Sequence, residues 1–217
     1  MHNDSWLDFF INSATGAGLN ITPKQAELFL RYMLELIKWN RTTNITRITE
    51  PRAVAIKHFL DSILITRYID ISRATIADVG SGGGFPGIPL AIIAPDCSVV
   101  VMESVGKKCA FLKHAVRSLQ LSNVDVYHGR AEAYPAPPTF DLAVSRALGA
   151  VPDFYAIARK LIKPRGRIVC MKGRLPVNEI EALKNPENDM LKIDSYSYCL
   201  PEQGNERCLL ILTPCFT

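Results

Sequence analysis

The sequence predicts an α/β protein with a mostly parallel sheet that carries helices on both faces. Two observations support this fold class. From residue 75 to residue 171, short apolar runs alternate with amphipathic stretches of helical spacing, which is typical of repeated β-α units. The first of these runs leads directly into the glycine-rich segment DVGSGGGFPG at residues 78–87. Sheets of this class use such a turn to bind a nucleotide-like ligand.

The first 70 residues are predicted to be helical, because they show no strand pattern. Thr22 is expected to cap a helix that has Pro23 at its first position. Apolar residues then recur at helical spacing, at Ala26, Phe29, Leu30, Met33, Leu34 and Ile37. A second helix is predicted over residues 51–65, with an apolar face formed by Ile56, Phe59, Leu60 and Ile63.

The β-α part begins with a predicted strand at residues 75–79 and ends with a predicted hairpin. Further apolar runs predict strands at residues 98–103, 124–127, 140–145 and 167–171. Helices are predicted at residues 88–94, 107–119, 151–162 and 177–183, with a turn at residues 164–166. Two β segments, near residues 190–198 and 207–213 around a loop at 201–205, complete a seven-stranded sheet with an antiparallel C-terminal hairpin.

A length of 217 residues suits one compact unit. We divide it into an N-terminal helical extension over residues 1–70 and a sheet domain over residues 71–217. The apolar runs are too short to cross a membrane, and the polar start of the chain does not resemble a secretory signal. The six cysteines are scattered without a C-x-x-C pair, which predicts buried thiols and no metal site. We therefore expect a cytoplasmic protein with no membrane segment.

The net charge of +4 is modest, but the cations are concentrated in three segments. Residues 38–57, 104–117 and 157–174 hold 16 of the 25 lysines and arginines. The only acid in these three segments is Glu50. Such clusters indicate a polyanionic partner, and nucleic acid is the usual one. The alternative is that helix faces and helix C-termini collect cations for solubility and for their dipoles.

The glycine-rich segment fits two cofactor motifs. Gly80, Gly82 and Gly84 form the G-x-G-x-G spacing of S-adenosylmethionine sites, whereas Gly82, Gly84 and Gly87 match the G-x-G-x-x-G fingerprint of dinucleotide sites. Glu103 ends the second predicted strand, where an acid accepts hydrogen bonds from the ribose hydroxyls of an adenosine. Because NAD and S-adenosylmethionine share that ribose, Glu103 does not choose between them.

Two features favour S-adenosylmethionine. The predicted strand ends at Val79, so the motif that begins at Gly80 starts where the turn must start. Phe85 and Pro86 would crowd a pyrophosphate seated at the N-terminus of the following helix. A methionyl group, which carries no phosphate, tolerates these two residues better.

The sequence carries no motif for two common methylation reactions. Residues 140–147 read FDLAVSRA, where enzymes that methylate exocyclic amines often carry N-P-P-Y or D-P-P-Y. Cys97 lies too early in the fold to be the nucleophile of a pyrimidine C5 methyltransferase. Guanine N7 fits this pattern, since its lone pair lies free in the ring plane and its methylation releases no proton. The work of the enzyme would then be positioning.

These residues resemble the glucose-inhibited division protein B family, whose members are bacterial small-subunit ribosomal RNA guanine-N7 methyltransferases. The most specific match is DVGSGGGFPGIPL at residues 78–90. Shorter matches follow one another between residues 39 and 173: Trp39-Asn40, Asn44-Ile45-Thr46, His58-x-x-Asp61-Ser62, Glu103-Ser104-x-Gly106-Lys107-Lys108, Phe111-Leu112, Arg130-Ala131-Glu132, Ser145-Arg146-Ala147 and Lys172-Gly173.

The resemblance implies a class I S-adenosylmethionine-dependent methyltransferase with a Rossmann-like sheet. Its substrate would be the 530 loop of 16S ribosomal RNA in the small ribosomal subunit, its product S-adenosylhomocysteine, and its state a monomer. The implied cofactor contacts are Gly80, Phe85, Ala131, Glu132 and Arg146, beside Gly82, Gly84 and Glu103 from the motifs above. His58, Asp61 and Arg146 are implied to position the reacting groups. RNA contacts are expected at Arg47, Lys107, Lys108 and Lys172.

Alternatives stay open for the residues and for the function. Arg146 could bind the carboxylate of the methyl donor, an RNA phosphate or a surface acid. His58 and Asp61 also have the spacing of an ordinary packed helix turn. The chain could instead be a class I methyltransferase acting on a small molecule, an NAD-binding oxidoreductase that uses the Gly82 motif, or a non-catalytic RNA-binding protein.

Overall fold

In a computed structural model, the chain is described over residues 3–135, 138–146, 149–183, 191–201, 204 and 206–214. Within these residues, seven strands form one mixed sheet. They are β1 (Thr75–Val79), β2 (Ser98–Glu103), β3 (Val124–His128), β4 (Phe140–Arg146), β5 (Ile162–Lys172), β6 (Leu191–Cys199) and β7 (Glu206–Pro214). The order across the sheet is β3-β2-β1-β4-β5-β7-β6. The predicted fold class is confirmed.

The helices cover both faces of this sheet. The described α-helices are α1 (Asn3–Gly16), α2 (Pro23–Thr43), α3 (Pro51–Val54), α4 (Asp61–Ile63), α5 (Gly87–Ile93), α6 (Gly106–Leu119), α7 (Val151–Ala158) and α8 (Val177–Leu183). A π-helical turn (Ala55–Leu60) joins α3 to α4, and a 3-10 turn (Leu64–Arg67) continues α4. A second 3-10 turn (Ala131–Ala133) follows β3.

The strand pairing creates a switch point between β1 and β4. β1 pairs in parallel with both β2 and β4, while β3 and β5 extend the parallel sheet on either side. β7 is antiparallel to both β5 and β6, as the predicted hairpin requires. From β1 the chain adds β2 and β3 on one side of that strand and then crosses over to add β4 and β5 on the other side. This change of direction opens a crevice at the carboxyl ends of β1 and β4.

The N-terminal helices pack onto the sheet and reach the glycine-rich loop. Thr22 and Gln25 form a capping box at the start of α2, with Pro23 in the first turn, as predicted. The sequence patterns did not resolve α1, which buries Trp6 and Phe10 against this layer. The hydroxyl of Tyr32, in α2, donates to the carbonyl of Gly83. The helical extension thus forms a wall of the loop, and the boundary at residue 70 stays a prediction.

The predicted boundaries between the fourth and fifth strands were wrong. The helix predicted over residues 151–162 ends at Ala158, and β5 begins at Ile162 instead of residue 167. The predicted turn at residues 164–166 is a bulge inside β5, because the register shifts between the pairs Phe140–Ile162 and Leu142–Arg167. The predicted loop at residues 201–205 lies partly outside the described residues.

The described part of the chain shows neither a helix that could span a membrane nor a cluster of metal-ligating side chains. None of the helices there combines the length and apolar character that a membrane span requires. The same residues contain no group of three or more His, Cys, Asp or Glu side chains placed to hold a metal ion.

Candidate active site

The carboxyl ends of the parallel strands bring most of the candidate residues to one edge of the sheet. The glycine-rich loop follows β1, Glu103 ends β2, and the 3-10 turn with Ala131 follows β3. Arg146 ends β4 and Lys172 ends β5. Ligands of open α/β sheets bind at this edge, next to the switch point.

Two glycines of the loop are required by the packing of the protein itself. Gly84 has a φ of 91°, and a Cβ there would lie 2.7 Å from Cδ1 of Ile88 and against the hydroxyl of Tyr32. A Cβ on Gly87 would lie 2.7 Å from Oδ2 of Asp78. Both positions exclude a side chain because neighbouring protein atoms already fill the space.

Gly82 differs, because the space beside it is open. Its φ is 59°, and the nearest atom to a Cβ there would be the Gly80 carbonyl oxygen at 3.9 Å. Its amide donates to Oε2 of Glu103 at 2.9 Å. Gly82 is therefore a loop position at which a ligand can approach the backbone closely.

Asp78 holds the glycine-rich loop against the end of β1. Its Oδ2 accepts the N–H of Gly87 at 2.8 Å and the hydroxyl of Ser81. Burial raises the pKa of Asp78 to about 6, although these two hydrogen bonds act in the opposite direction. Asp78 stands in the glycine-rich motif without a role that its sequence position predicts, and the structure shows that it holds the loop in place.

Glu103 links the loop after β1 to the loop after β2. Its Oε1 accepts the N–H of Val105 and its Oε2 the N–H of Gly82, each at 2.9 Å. A carboxylate oxygen has two lone pairs, so each oxygen keeps capacity for a further donor such as a ribose hydroxyl. Together with the open space at Gly82, this pair of acceptor oxygens fits the ribose hydroxyls at the adenosine end of S-adenosylmethionine.

Arg146 connects the glycine-rich loop to the π-helical turn. Its Nη1 donates to the carbonyl of Lys57 and its Nη2 to Nδ1 of His58, each at 3.0 Å. Its guanidinium carbon lies 4.8 Å from the centroid of the Phe85 ring. Its Nη1 lies 3.9 Å from Oδ2 of Asp61, whose side chain is 4% exposed. The ion pair of Arg146 is thus buried, unlike the surface pair considered from the sequence.

His58 is held as a neutral imidazole. Because a guanidinium can only donate, Nδ1 of His58 accepts from Arg146, and Nε2 carries the proton that it donates to the Thr46 hydroxyl at 2.8 Å. The ring stacks on Phe85, with 4.4 Å between centroids. Burial and then the charge of Arg146 lower the pKa of His58 to about 3. This geometry suits a positioning residue.

The π-helical turn is what aims Lys57 and His58 at Arg146. The sequence predicted a regular helix here, and its apolar face at Ile56, Phe59 and Leu60 is indeed buried. A π turn changes which carbonyls are bonded within the helix and is frequent at functional sites. The carbonyl of Lys57 accepts from Arg146 as a result. Hydrophobic spacing does not distinguish a single π turn from an α-helix.

The C-terminal hairpin also reaches the site, which the sequence did not indicate. The hydroxyl of Tyr198, in β6, donates to Oδ1 of Asp61 at 3.0 Å. Nε of Arg207, in β7, lies 3.5 Å from Oδ2 of Asp61. Burial raises the pKa of Asp61, while Arg146, Arg207 and the Tyr198 hydrogen bond act against that rise.

A cavity of about 340 Å³ opens beside Arg146. Ile48 and Met171 give it apolar walls. Its polar lining consists of His58 and Asp61 and of four cations, Lys57, Arg146, Lys172 and Arg207. The cavity therefore offers apolar surface for a flat base and positive charge for neighbouring phosphates.

The remaining predicted residues lie around this centre. Nζ of Lys172 donates to Glu179 at 2.9 Å and to the Gly149 carbonyl at 2.7 Å. Ala131 is buried next to β3. Arg47, Lys107 and Glu132 are exposed and Lys108 is half-buried. None of these four lines the cavity.

The neutral state of His58 predicts a pH effect on stability. The unfolded imidazole binds a proton near pH 6.5, whereas the folded pKa of about 3 keeps it neutral. The unfolded state therefore binds more protons between these values, so His58 lowers the free energy of unfolding as the pH falls. Between pH 7 and pH 5 we expect the free energy of unfolding of the wild type to fall by about 2 kcal/mol more than that of the His58→Gln variant. Urea denaturation at both pH values measures this, and equal losses would contradict it.

Comparison with known proteins shows the family to which the chain belongs. The family model for rRNA small subunit methyltransferase G (GidB) matches residues 25–207. Proteins named Ribosomal RNA small subunit methyltransferase G from Salmonella typhimurium and Salmonella typhi are each 36% identical over 197 residues, which cover 90% of this chain and 92% of theirs.

Solved structures show the same fold at low identity. A SAM dependent methyltransferase from Aquifex aeolicus has a TM-score of 0.57 at 16% identity, over 83% of this chain and 98% of that chain. TYW2 of M. jannaschii, in complex with AdoMet, has a TM-score of 0.52 at 16% identity, over 70% and 74%. The fold is that of S-adenosylmethionine-dependent methyltransferases, and the chain belongs to the rRNA small subunit methyltransferase G family.

Proposed function

We propose that this chain transfers a methyl group from S-adenosylmethionine to N7 of a guanine in 16S ribosomal RNA and leaves S-adenosylhomocysteine as product. The observation that carries the proposal is the 36% identity, over 90% of the chain, to proteins named Ribosomal RNA small subunit methyltransferase G. The geometry of the candidate active site supports it. The choice of guanine N7 and of the 530 loop rests on the family resemblance alone.

The cofactor would be held by residues at the carboxyl ends of the first three strands and in the loops that follow them. Glu103 would accept the ribose hydroxyls, and the backbone at Gly80 and Gly82 would lie against the cofactor. Ala131 and Glu132, after β3, would lie at the adenine edge. When bound, S-adenosylmethionine supplies an electrophilic methyl group on its sulfonium. Gly84 and Phe85 would fix the conformation of the loop, and Phe85 would position Arg146 through the contact between its ring and the guanidinium.

The acceptor base would enter the cavity beside Arg146. Ile48 and Met171 would hold its faces, and Lys172 and Arg207 would contact the phosphates on either side. Such positioning accounts for much of the rate in a reaction between two bound groups. The side chain of Asp61, already bonded to Tyr198, supplies negative charge near the cationic product.

No residue needs to act as a base in this reaction. Guanine N7 presents a free lone pair, and no proton leaves when it is methylated. His58 fits this requirement, because Arg146 already occupies Nδ1 and Nε2–H is bonded to Thr46. His58 would therefore hold Arg146 and Phe85 in place without exchanging a proton with the RNA.

The proposal extends to the setting of the reaction. An enzyme acting on small-subunit ribosomal RNA works in the cytoplasm, and we expect it to act there as a monomer. The experiment that tests the proposal is identification of the nucleoside that gains a methyl group when the protein is incubated with S-adenosylmethionine and 16S ribosomal RNA. Formation of 7-methylguanosine is the expected result.

A further inference from the structure

The cations of residues 157–174 lie at two opposite ends of the parallel strands, the amino end and the carboxyl end. Lys172 ends β5 at the carboxyl edge, where the candidate active site lies. Lys160, Lys163 and Arg165 lie at the other end of the same strand, and Arg167 follows. Arg167 and Lys172 are five positions apart along this extended strand, which corresponds to about 17 Å.

These cations form one surface with a residue from another loop. We call it the amino-edge patch and define it as Arg73, Lys160, Lys163, Arg165 and Arg167. Arg73 precedes β1, whose amino end lies beside that of β4. All five are exposed except Lys163, which is half-buried.

The acids beside the amino-edge patch do not balance it. The segments that form it, residues 68–74, 139–141 and 159–167, contain two acids, Asp70 and Asp141. Oδ1 of Asp141 accepts from Nζ of Lys163 at 2.7 Å, and its Oδ2 accepts from the amide and hydroxyl of Thr75. Asp70 lies close enough to Arg167 for an electrostatic interaction. The patch thus carries five positive charges, and the segments that form it supply two acids.

The bulge in β5 adds to this display of charge. Gly166 is buried, and a Cβ there would lie 2.7 Å from Cβ of Ile162 and 3.0 Å from the carbonyl oxygen of Lys163. Pro164 and Arg165, inside this irregular stretch of β5, are both exposed. An exposed cationic surface of this kind suits the phosphate backbone of a nucleic acid, which it attracts without reading a sequence.

We propose that the amino-edge patch binds the phosphates of a second segment of the ribosomal RNA, remote from the guanine in the active site. This inference rests on the proposed function. Because the patch and the cavity lie on opposite edges of the sheet, a short RNA that fills the cavity does not reach the patch. The preferred substrate is then a large folded RNA or ribonucleoprotein particle whose backbone contacts both edges.

The test compares two triple variants with equal loss of charge. The patch variant carries Lys160→Gln, Arg165→Gln and Arg167→Gln, and it leaves the Lys163–Asp141 pair intact. The control variant carries Lys24→Gln, Arg31→Gln and Lys192→Gln, which replace exposed cations outside the three basic segments and outside the amino-edge patch. Methyl transfer is measured on full-length 16S ribosomal RNA and on a short stem-loop of it that contains the target guanine, each at several salt concentrations.

We expect the patch variant to raise KM for full-length 16S ribosomal RNA about tenfold, with kcat unchanged, and to reduce the salt slope of binding by about 2 to 3. The control variant and the short stem-loop should each show less than about a twofold change. An equal effect of both variants, an equal effect on both RNAs, or no effect would overturn the inference.

Direct binding separates this inference from the proposed function. If the wild type methylates neither RNA, the proposed function fails, and filter binding of full-length 16S ribosomal RNA still tests the patch. Weaker binding by the patch variant than by the control variant would support the patch. Equal binding by the two variants would overturn it.

Discussion

Replacing Arg146 by alanine is expected to lower kcat/KM for methyl transfer by about 100- to 1,000-fold. Arg146 donates to Lys57 and His58 at once and lies over the Phe85 ring, so it joins the glycine-rich loop to the cavity. Without its side chain, the π-helical turn and the glycine-rich loop would lose the contacts that hold them together. Initial rates on 16S ribosomal RNA measure the effect.

Two further variants serve as controls for this result. Arg146→Lys keeps the charge but lacks the planar fork that bonds two acceptors, so we expect only partial recovery of the rate. Lys24→Ala, at the exposed start of α2, should leave kcat/KM unchanged. Asp61 keeps Tyr198 and Arg207 as partners in the alanine variant, so the protein should still fold. An Arg146→Ala protein that retains more than about a third of the wild-type kcat/KM would rule out this role.

Gly84→Ala is expected to lower the free energy of unfolding by about 3 kcal/mol. Its φ of 91° is unfavourable for an L-residue, and the new Cβ would meet Ile88 at 2.7 Å as well as the Tyr32 hydroxyl. Gly82→Ala is the matched comparison, since its φ is 59° but its surroundings are open. That change should cost about 1 kcal/mol. Urea denaturation of both variants measures the difference.

The same pair of variants separates folding from cofactor binding. The Cβ of Gly82→Ala would enter the space assigned to the cofactor, so calorimetry should show S-adenosylhomocysteine binding at least about tenfold weaker than in the wild type. NAD should bind to neither protein. Wild-type affinity in Gly82→Ala, or equal destabilisation by the two substitutions, would show that Gly82 has no special place in the site.

The sequence predicted the sheet well because its strands are short, apolar and sharply bounded. β1 lies between Ala74 and the glycine-rich loop, and its residues 75–79 match the prediction, as do residues 98–103 of β2. The end of α7 was wrong because Leu161 and Ile162 continue the apolar spacing of the helix although the chain has already turned. The bulge around Pro164 depends on pairing with β4, which local patterns do not contain.

In the candidate active site, too, the residues that local sequence patterns indicate were predicted, and those that depend on distant contacts were not. The glycine-rich loop and Glu103 follow from spacing along the chain, because each stands at the end of its own strand. Tyr198 and Arg207 could not be found in this way, since their contact with Asp61 joins residues more than 130 positions apart. Thr46 was part of a matched motif, but its bond to His58 depends on the direction in which the π turn points that ring.

The most direct test of the proposed function is to locate the transferred methyl group. The wild-type protein would be incubated with methyl-labelled S-adenosylmethionine and either 16S ribosomal RNA or small ribosomal subunits, and the RNA digested to nucleosides for mass spectrometry. We predict that the label appears in 7-methylguanosine at a single site, and that Arg146→Ala abolishes most of it. Label on another atom or another base, or no label on either substrate, would contradict the proposal.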